Sequence, residues 1–139
     1  MKLSYKFIPV IAGLPMLLGG LVYADVDNIG KQEFRYNCAV CHGVGGTGNG
    51  PAVDVLKQAP PDLTGISQRH GGSFPYKQVY QWIEDPAGIR AHGSHDMPIW
   101  GARYSQAIID KYGPYDTMHS GEVQARILEL VFYLANIQK

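Results

Sequence analysis

The stretch Cys38-Ala39-Val40-Cys41-His42 decides how the rest of the chain must fold. It holds the only two cysteines of the 139 residues, and a histidine directly follows the second. This C-x-x-C-H spacing is the signature of covalent haem c attachment. On a helical turn both thiols project to the same side, within reach of two vinyl groups of one porphyrin, and the imidazole is aimed at the iron. The stretch therefore predicts one haem c with its iron, thioether bonds from Cys38 and Cys41, and His42 as the proximal ligand.

Three other interpretations of the two cysteines are weaker. A disulfide between Cys38 and Cys41 would close too small a loop to constrain the unfolded chain much. A zinc site needs two more ligands, and the remaining histidines, at positions 70, 92, 95 and 119, do not form a typical ligand pair. A thioredoxin-like dithiol would lie among alternating strands and helices, a pattern that is not visible here.

Residues 1–24 have the composition of a secretory signal peptide. Lys2 and Lys6 give a positive start, residues 7–22 are apolar or small, and Val22-Tyr23-Ala24 fits a small-residue cleavage site. The apolar run is shorter than the roughly 20 residues that span a bilayer. We expect a signal peptide at 1–24, a periplasmic location, no membrane span in the mature chain, and one domain at 25–139.

The charge and composition restrict the partners and the architecture. Twelve basic and 12 acidic residues leave no basic footprint for nucleic acid. Because the expected signal peptide carries two lysines and no acidic residue, the mature chain has a charge of about −2. With 17 glycines and nine prolines, the sequence predicts long irregular loops between few helices.

Two amphipathic helices are predicted at the ends of the mature chain. Asp27 is a candidate N-cap for the first, which runs through Phe34 towards Cys38. Ser120 is a candidate N-cap for the last, with Glu122 in its first turn. The apolar face of this last helix is formed by Val123, Ile127, Leu130 and Leu134.

The middle of the chain is predicted to be loop-rich. Residues 43–51 are rich in glycine but lack the lysine and the preceding strand of a phosphate-binding loop, so they indicate a sharp turn beneath a porphyrin. We expect a short helix at residues 52–57, no helix just past Pro60, and a helix that opens with Pro75 and ends before Pro86. Its apolar face would comprise Tyr76, Val79, Tyr80 and Ile83.

Residues 30–43, together with the downstream Met97-Pro98-Ile99-Trp100-Gly101, resemble a bacterial class I c-type cytochrome with one haem. The resemblance implies an all-α cytochrome c fold, in which the N- and C-terminal helices cross around one covalent haem with long Gly/Pro-rich loops. It implies His/Met ligation of the iron. It also implies that Gly30 lies against the last helix, with Tyr133 as the best candidate for its neighbour.

Met97 is the favoured distal ligand. Pro98 biases it towards extended backbone, which suits a loop that carries a thioether across the ring, and the resembled family places its ligand in this region. Met118 adjoins the last helix and is more typical of a packing or capping residue. His92 and His95 are the serious alternatives, whereas His70 and His119 are expected to be solvated loop histidines.

Further contacts are expected around the haem. The resemblance implies a proline carbonyl that accepts the second ring N–H of His42, and Pro51 is the candidate. Trp100, Arg69 and Tyr104 are candidates for hydrogen bonds to the haem propionates.

The predicted function is electron transfer between redox enzymes, because a haem with both faces ligated cannot readily bind substrate. No arrangement of general acid, base or nucleophile indicates an enzyme. The predicted partners are a redox donor and acceptor, met either as a monomer or as a subunit of a larger periplasmic dehydrogenase or oxidase. The alternative from another class is a gas sensor or peroxidase-like protein with a labile distal ligand.

Overall fold

The computed structural model describes residues 26–85, 97–119 and 121–139. Its helices are α1 (Val26–Asn37), α2 (Ala39–His42), α3 (Ile66–Arg69), α4 (Tyr76–Glu84), α5 (Trp100–Tyr112) and α6 (Gly121–Asn136), with 3-10 turns at Val53–Val55 and Leu63–Gly65. Within these ranges every regular element is helical, which confirms the all-α prediction. In the same ranges no helix has the length and apolarity that a membrane crossing requires. The expectations for residues 1–24, Pro86, His92, His95 and Ser120 lie outside the described residues.

Helices α1 and α6 cross at Gly30. A Cβ atom there would collide with the backbone carbonyl of Glu129 and would lie 3.0 Å from the Cβ of Tyr133. One turn later the Phe34 ring lies 5.1 Å from the Tyr133 ring. The predicted contact between Gly30 and the last helix is confirmed, and its cause is steric, since any side chain would push the two backbones apart.

The core forms where α6 meets the other helices. The predicted apolar face of α6 is confirmed, because Ile127, Leu130 and Leu134 are buried and Val123 packs against them. The buried apolar residues contributed by the other elements are Phe34, Ala39, Ile66, Val79, Ile83, Trp100 and Tyr104. Helix α6 therefore carries the contacts that hold α1, α4 and α5 in place.

Several expected boundaries are wrong. Helix α1 begins at Val26, so Asp27 lies inside the first turn and not at the N-cap. Residues 52–57 form only the 3-10 turn Val53–Val55, because this short segment has two β-branched residues and buries none of the turn. Pro75 precedes α4 as its N-cap, and Tyr76, expected on the apolar face, is half exposed.

Two helical regions were not expected from the sequence. Helix α5 occupies a stretch for which no helix was predicted, and it buries Trp100 and Tyr104, four residues apart. That spacing is the signal that could have revealed it. The turn Leu63–Gly65 continues directly into α3, and the side chain of Asp62 caps it by accepting the Thr64 N–H at 2.8 Å.

Candidate haem site

The C-x-x-C-H stretch forms a tight helical turn after α1. The amide of Cys38 donates to the carbonyl of Phe34 at 2.9 Å, and the amides of Cys41 and His42 donate to the carbonyl of Cys38 at 3.1 and 2.9 Å. The side chains of Cys38 and His42 line the same cavity. The local backbone therefore has the helical geometry that the spacing predicts.

The glycine-rich segment turns the chain back under this motif. Gly43 and Gly48 have φ angles of 75° and 81°, a region that favours glycine. The amide of Gly48 donates to the carbonyl of His42 at 2.8 Å, and that of Gly50 donates to the carbonyl of Cys41 at 3.1 Å. The segment is therefore a tight backbone support for the motif, as expected.

A cavity of about 240 Å³ lies between the motif and the rest of the core. Residues 61–70 form one side of it, which we name the wall segment. The side chains around the cavity come from the motif side (Phe34, Cys38, His42), the wall segment (Pro61, Leu63, Ile66, Arg69, His70), α4 (Val79, Trp82, Ile83), the segment that leads into α5 and its first residue (Met97, Trp100) and α6 (Leu130, Leu134).

This set of residues fits a haem. Most of the lining is apolar, as the flat macrocycle requires, while a nearly buried imidazole at His42 and a thioether at Met97 supply donors of the kinds that ligate haem iron. Cys38 lines the cavity, whereas Cys41, three residues on, does not, so its thioether bond stays a prediction. Arg69 adds a guanidinium that suits a carboxylate such as a propionate.

Some of the other candidate residues line the cavity and others do not. Met97 and Trp100 line the cavity, whereas Met118 is 89% exposed. Pro51 is exposed and does not line the cavity, so its carbonyl contact with His42 stays a prediction. Tyr104 is buried, but it also does not line the cavity, and its hydroxyl donates to Glu33 at 3.2 Å.

His70 is not the solvated loop histidine that we expected. It lines the cavity, its Nδ1 lies 2.9 Å from the carbonyl oxygen of Ile66, and its ring is 5.7 Å from the ring of Trp82. His119 is also engaged, since it stacks on Tyr112 at 3.7 Å. The prediction for His70 was based on the glycines that follow it, which are typical of a solvated loop. Those glycines are exposed, but the His70 side chain lies at the cavity.

A polar network adjoins the cysteine side of the cavity. The carboxylate of Glu33 accepts from Asn37 Nδ2 at 2.7 Å and from Tyr104, and it lies 3.9 Å from Arg126 Nη1. Burial, together with smaller contributions from the charges of Glu33 and Cys41, raises the pKa of the Cys38 thiol to about 12. Burial also raises the pKa of Tyr104, again with a contribution from Glu33. Before attachment, therefore, Cys38 is a thiol and not a thiolate at neutral pH.

The family comparison agrees with this geometry. Residues 28–100, more than half of the chain, match the family model described as Cytochrome c. The match spans the motif, the wall segment and Met97, and it ends at the first residue of α5. No curated protein and no solved structure matches the chain.

Proposed function

Since this chain belongs to the cytochrome c family, which binds covalent haem c and transfers electrons, we propose that it is a periplasmic carrier of single electrons with His42 and Met97 as the axial ligands. The observation that carries this proposal is one apolar cavity lined by Cys38, His42 and Met97. The bound haem supplies a one-electron ferric/ferrous couple.

Each side chain at the site has a different role in binding the haem. Cys38 and Cys41 would hold the macrocycle through thioethers, and His42 would supply an imidazole nitrogen to the iron. Met97 donates a soft, neutral thioether, which favours ferrous iron and so raises the reduction potential relative to a second histidine. The apolar lining excludes water, which also favours the less charged ferrous state.

Partners are proposed to dock on apolar surface beside the motif. Val40 is 50% exposed, Val44 76% and Val55 83%, and the Val40 carbonyl accepts from the amide of Ala52, which ties the motif to the turn that carries Val55. The small negative charge expected for the mature chain argues against a dense ring of lysines as the docking surface. Small apolar contacts suit short-lived redox encounters.

The first test is a haem stain of the denatured protein combined with its intact mass. We expect a coloured band and a mass equal to the chain without residues 1–24 plus one haem. A colourless chain with the mass of bare peptide would contradict the proposal. Size-exclusion chromatography of the purified protein and of native extract then distinguishes a free carrier from a subunit of a larger redox complex.

The second test concerns the distal ligand. The ferric protein should show the weak far-red sulfur-to-iron band, and Met97→Ala should abolish it, allow carbon monoxide to bind and lower the reduction potential. Met118→Ala is the matched control, because that methionine is exposed. His70→Ala tests the other potential donor in the cavity and should leave the far-red band in place. Tight carbon monoxide binding by the unsubstituted protein would favour the gas-sensor class instead.

A further inference from the structure

The wall segment is held from outside the cavity by residues that follow α6. Gln138 Nε2 donates to the carbonyl of Leu63 at 2.9 Å and to that of Leu134 at 2.6 Å, while the amide of Ser67 donates to Gln138 Oε1 at 2.9 Å. The next amide along, that of Lys139, donates to the carbonyl of Thr64 at 2.9 Å. One side chain thus joins the end of α6 to two points of the wall.

The two attachment points are next to cavity-lining residues. Leu63 itself lines the cavity, and Ser67 follows Ile66, which also lines it. On its other side the wall is bound to the motif loop, since the amide of Leu63 donates to the carbonyl of Gly46 at 2.7 Å. The wall, which comprises the turn Leu63–Gly65 and α3, is therefore bound to the motif loop on one side and to Gln138 and Lys139 on the other.

Building on the proposed function, we propose that Gln138 is a positioning residue that keeps the wall segment closed over the haem and thereby raises the reduction potential. Closing the wall keeps Pro61, Leu63 and Ile66 against the ring and water away from it. A dry, apolar surrounding disfavours the ferric state, which carries one more positive charge than the ferrous state. Loss of the Gln138 contacts would admit water and lower the potential.

The experiment compares holoprotein variants of the full chain. Gln138→Met keeps the length of the side chain but removes all three hydrogen bonds, whereas Gln138→Glu keeps an oxygen that accepts from the Ser67 amide. Gln124→Met is the matched control, because Gln124 is exposed on α6, the helix that precedes Gln138. The measurements are amide hydrogen exchange at Ser67 and the midpoint potential of the haem.

We expect Gln138→Met to speed exchange at Ser67 about tenfold, the equivalent of one lost hydrogen bond of about 1.4 kcal/mol. It should shift the redox equilibrium towards the ferric state by about threefold, or about 28 mV at about 59 mV per factor of ten. Gln138→Glu should fall between Gln138→Met and the wild type, and Gln124→Met should match the wild type.

Two results would overturn the inference. One is a potential in Gln138→Met that equals that of Gln124→Met. The other is unprotected exchange at Ser67 in the unsubstituted protein, a measurement that holds even if the variants fail to fold. Failure of the proposed function is a separate outcome, because it shows in the wild type as absent covalent haem or as tight carbon monoxide binding.

Discussion

The two sides of the cavity are built in different ways. The motif side is continuous in sequence: Cys38, Cys41 and His42 lie on one helical turn that is fixed by backbone hydrogen bonds. The opposite side is assembled from the wall segment, Met97 and Trp100, which are distant in sequence and held by contacts with α6 and its following residues. Attachment of the cofactor therefore depends on local geometry, whereas the environment of the cofactor depends on tertiary structure.

The largest effect is expected from removing the motif thiols. The double variant Cys38→Ala/Cys41→Ala should yield protein without covalent haem, because no other cysteine exists in the chain. Leu63→Ala, on the opposite side, should lower stability by about 2–5 kcal/mol but leave the haem attached. Haem staining and thermal unfolding measure the two effects. If Leu63→Ala abolished attachment as completely as the double variant, the division between the two sides would be wrong.

The same division explains what could be predicted from the sequence. The motif turn, the glycine-rich loop and the buried face of α6 follow from spacing and periodicity, which are local properties. The position of His70 in the cavity does not, since it depends on the turn that α3 makes against the rest of the core. Helix α5 was not predicted, because its first residue, Trp100, was assigned to the loop that carries Met97. The helical spacing of Trp100 and Tyr104 is the local signal for this helix.

A second prediction concerns the crossing that supports the motif side. Gly30→Ala should destabilise the protein by about 1–3 kcal/mol, because its Cβ would collide with the backbone of Glu129. Gly121→Ala is the matched control: it lies at the start of α6, and a Cβ there meets nothing within 4 Å. Chemical denaturation of both holoproteins gives the difference. If the two variants were equally stable, the close contact between α1 and α6 at Gly30 would not limit the stability of the protein.

A smaller effect is expected where α5 joins the motif side. Tyr104→Phe removes the hydroxyl that donates to Glu33, and the free energy of unfolding should fall by about 0.5–1.5 kcal/mol. Asn37 and Arg126 still face the carboxylate, which limits the loss. Tyr36→Phe is the control, because Tyr36 is 82% exposed. A Tyr104→Phe protein as stable as the control would show that this hydrogen bond adds nothing to the docking of α5.

The smallest effect is expected at the start of the wall segment and only in acid. Hydrogen bonds from the hydroxyl and amide of Thr64 lower the pKa of Asp62, and Lys139 adds a weaker contribution. Because the folded pKa lies below the unfolded value of about 3.9, this stabilisation is complete above that value and is lost as the pH falls through the folded pKa. Asp62→Asn should therefore be less stable than the wild type at neutral pH, and the difference should shrink below about pH 4. Asp54→Asn, which makes the same substitution at an exposed position outside the wall segment, is the matched control. A difference between Asp62→Asn and the wild type that stays constant with pH would mean that the wall segment gains nothing from the charge of its capping residue.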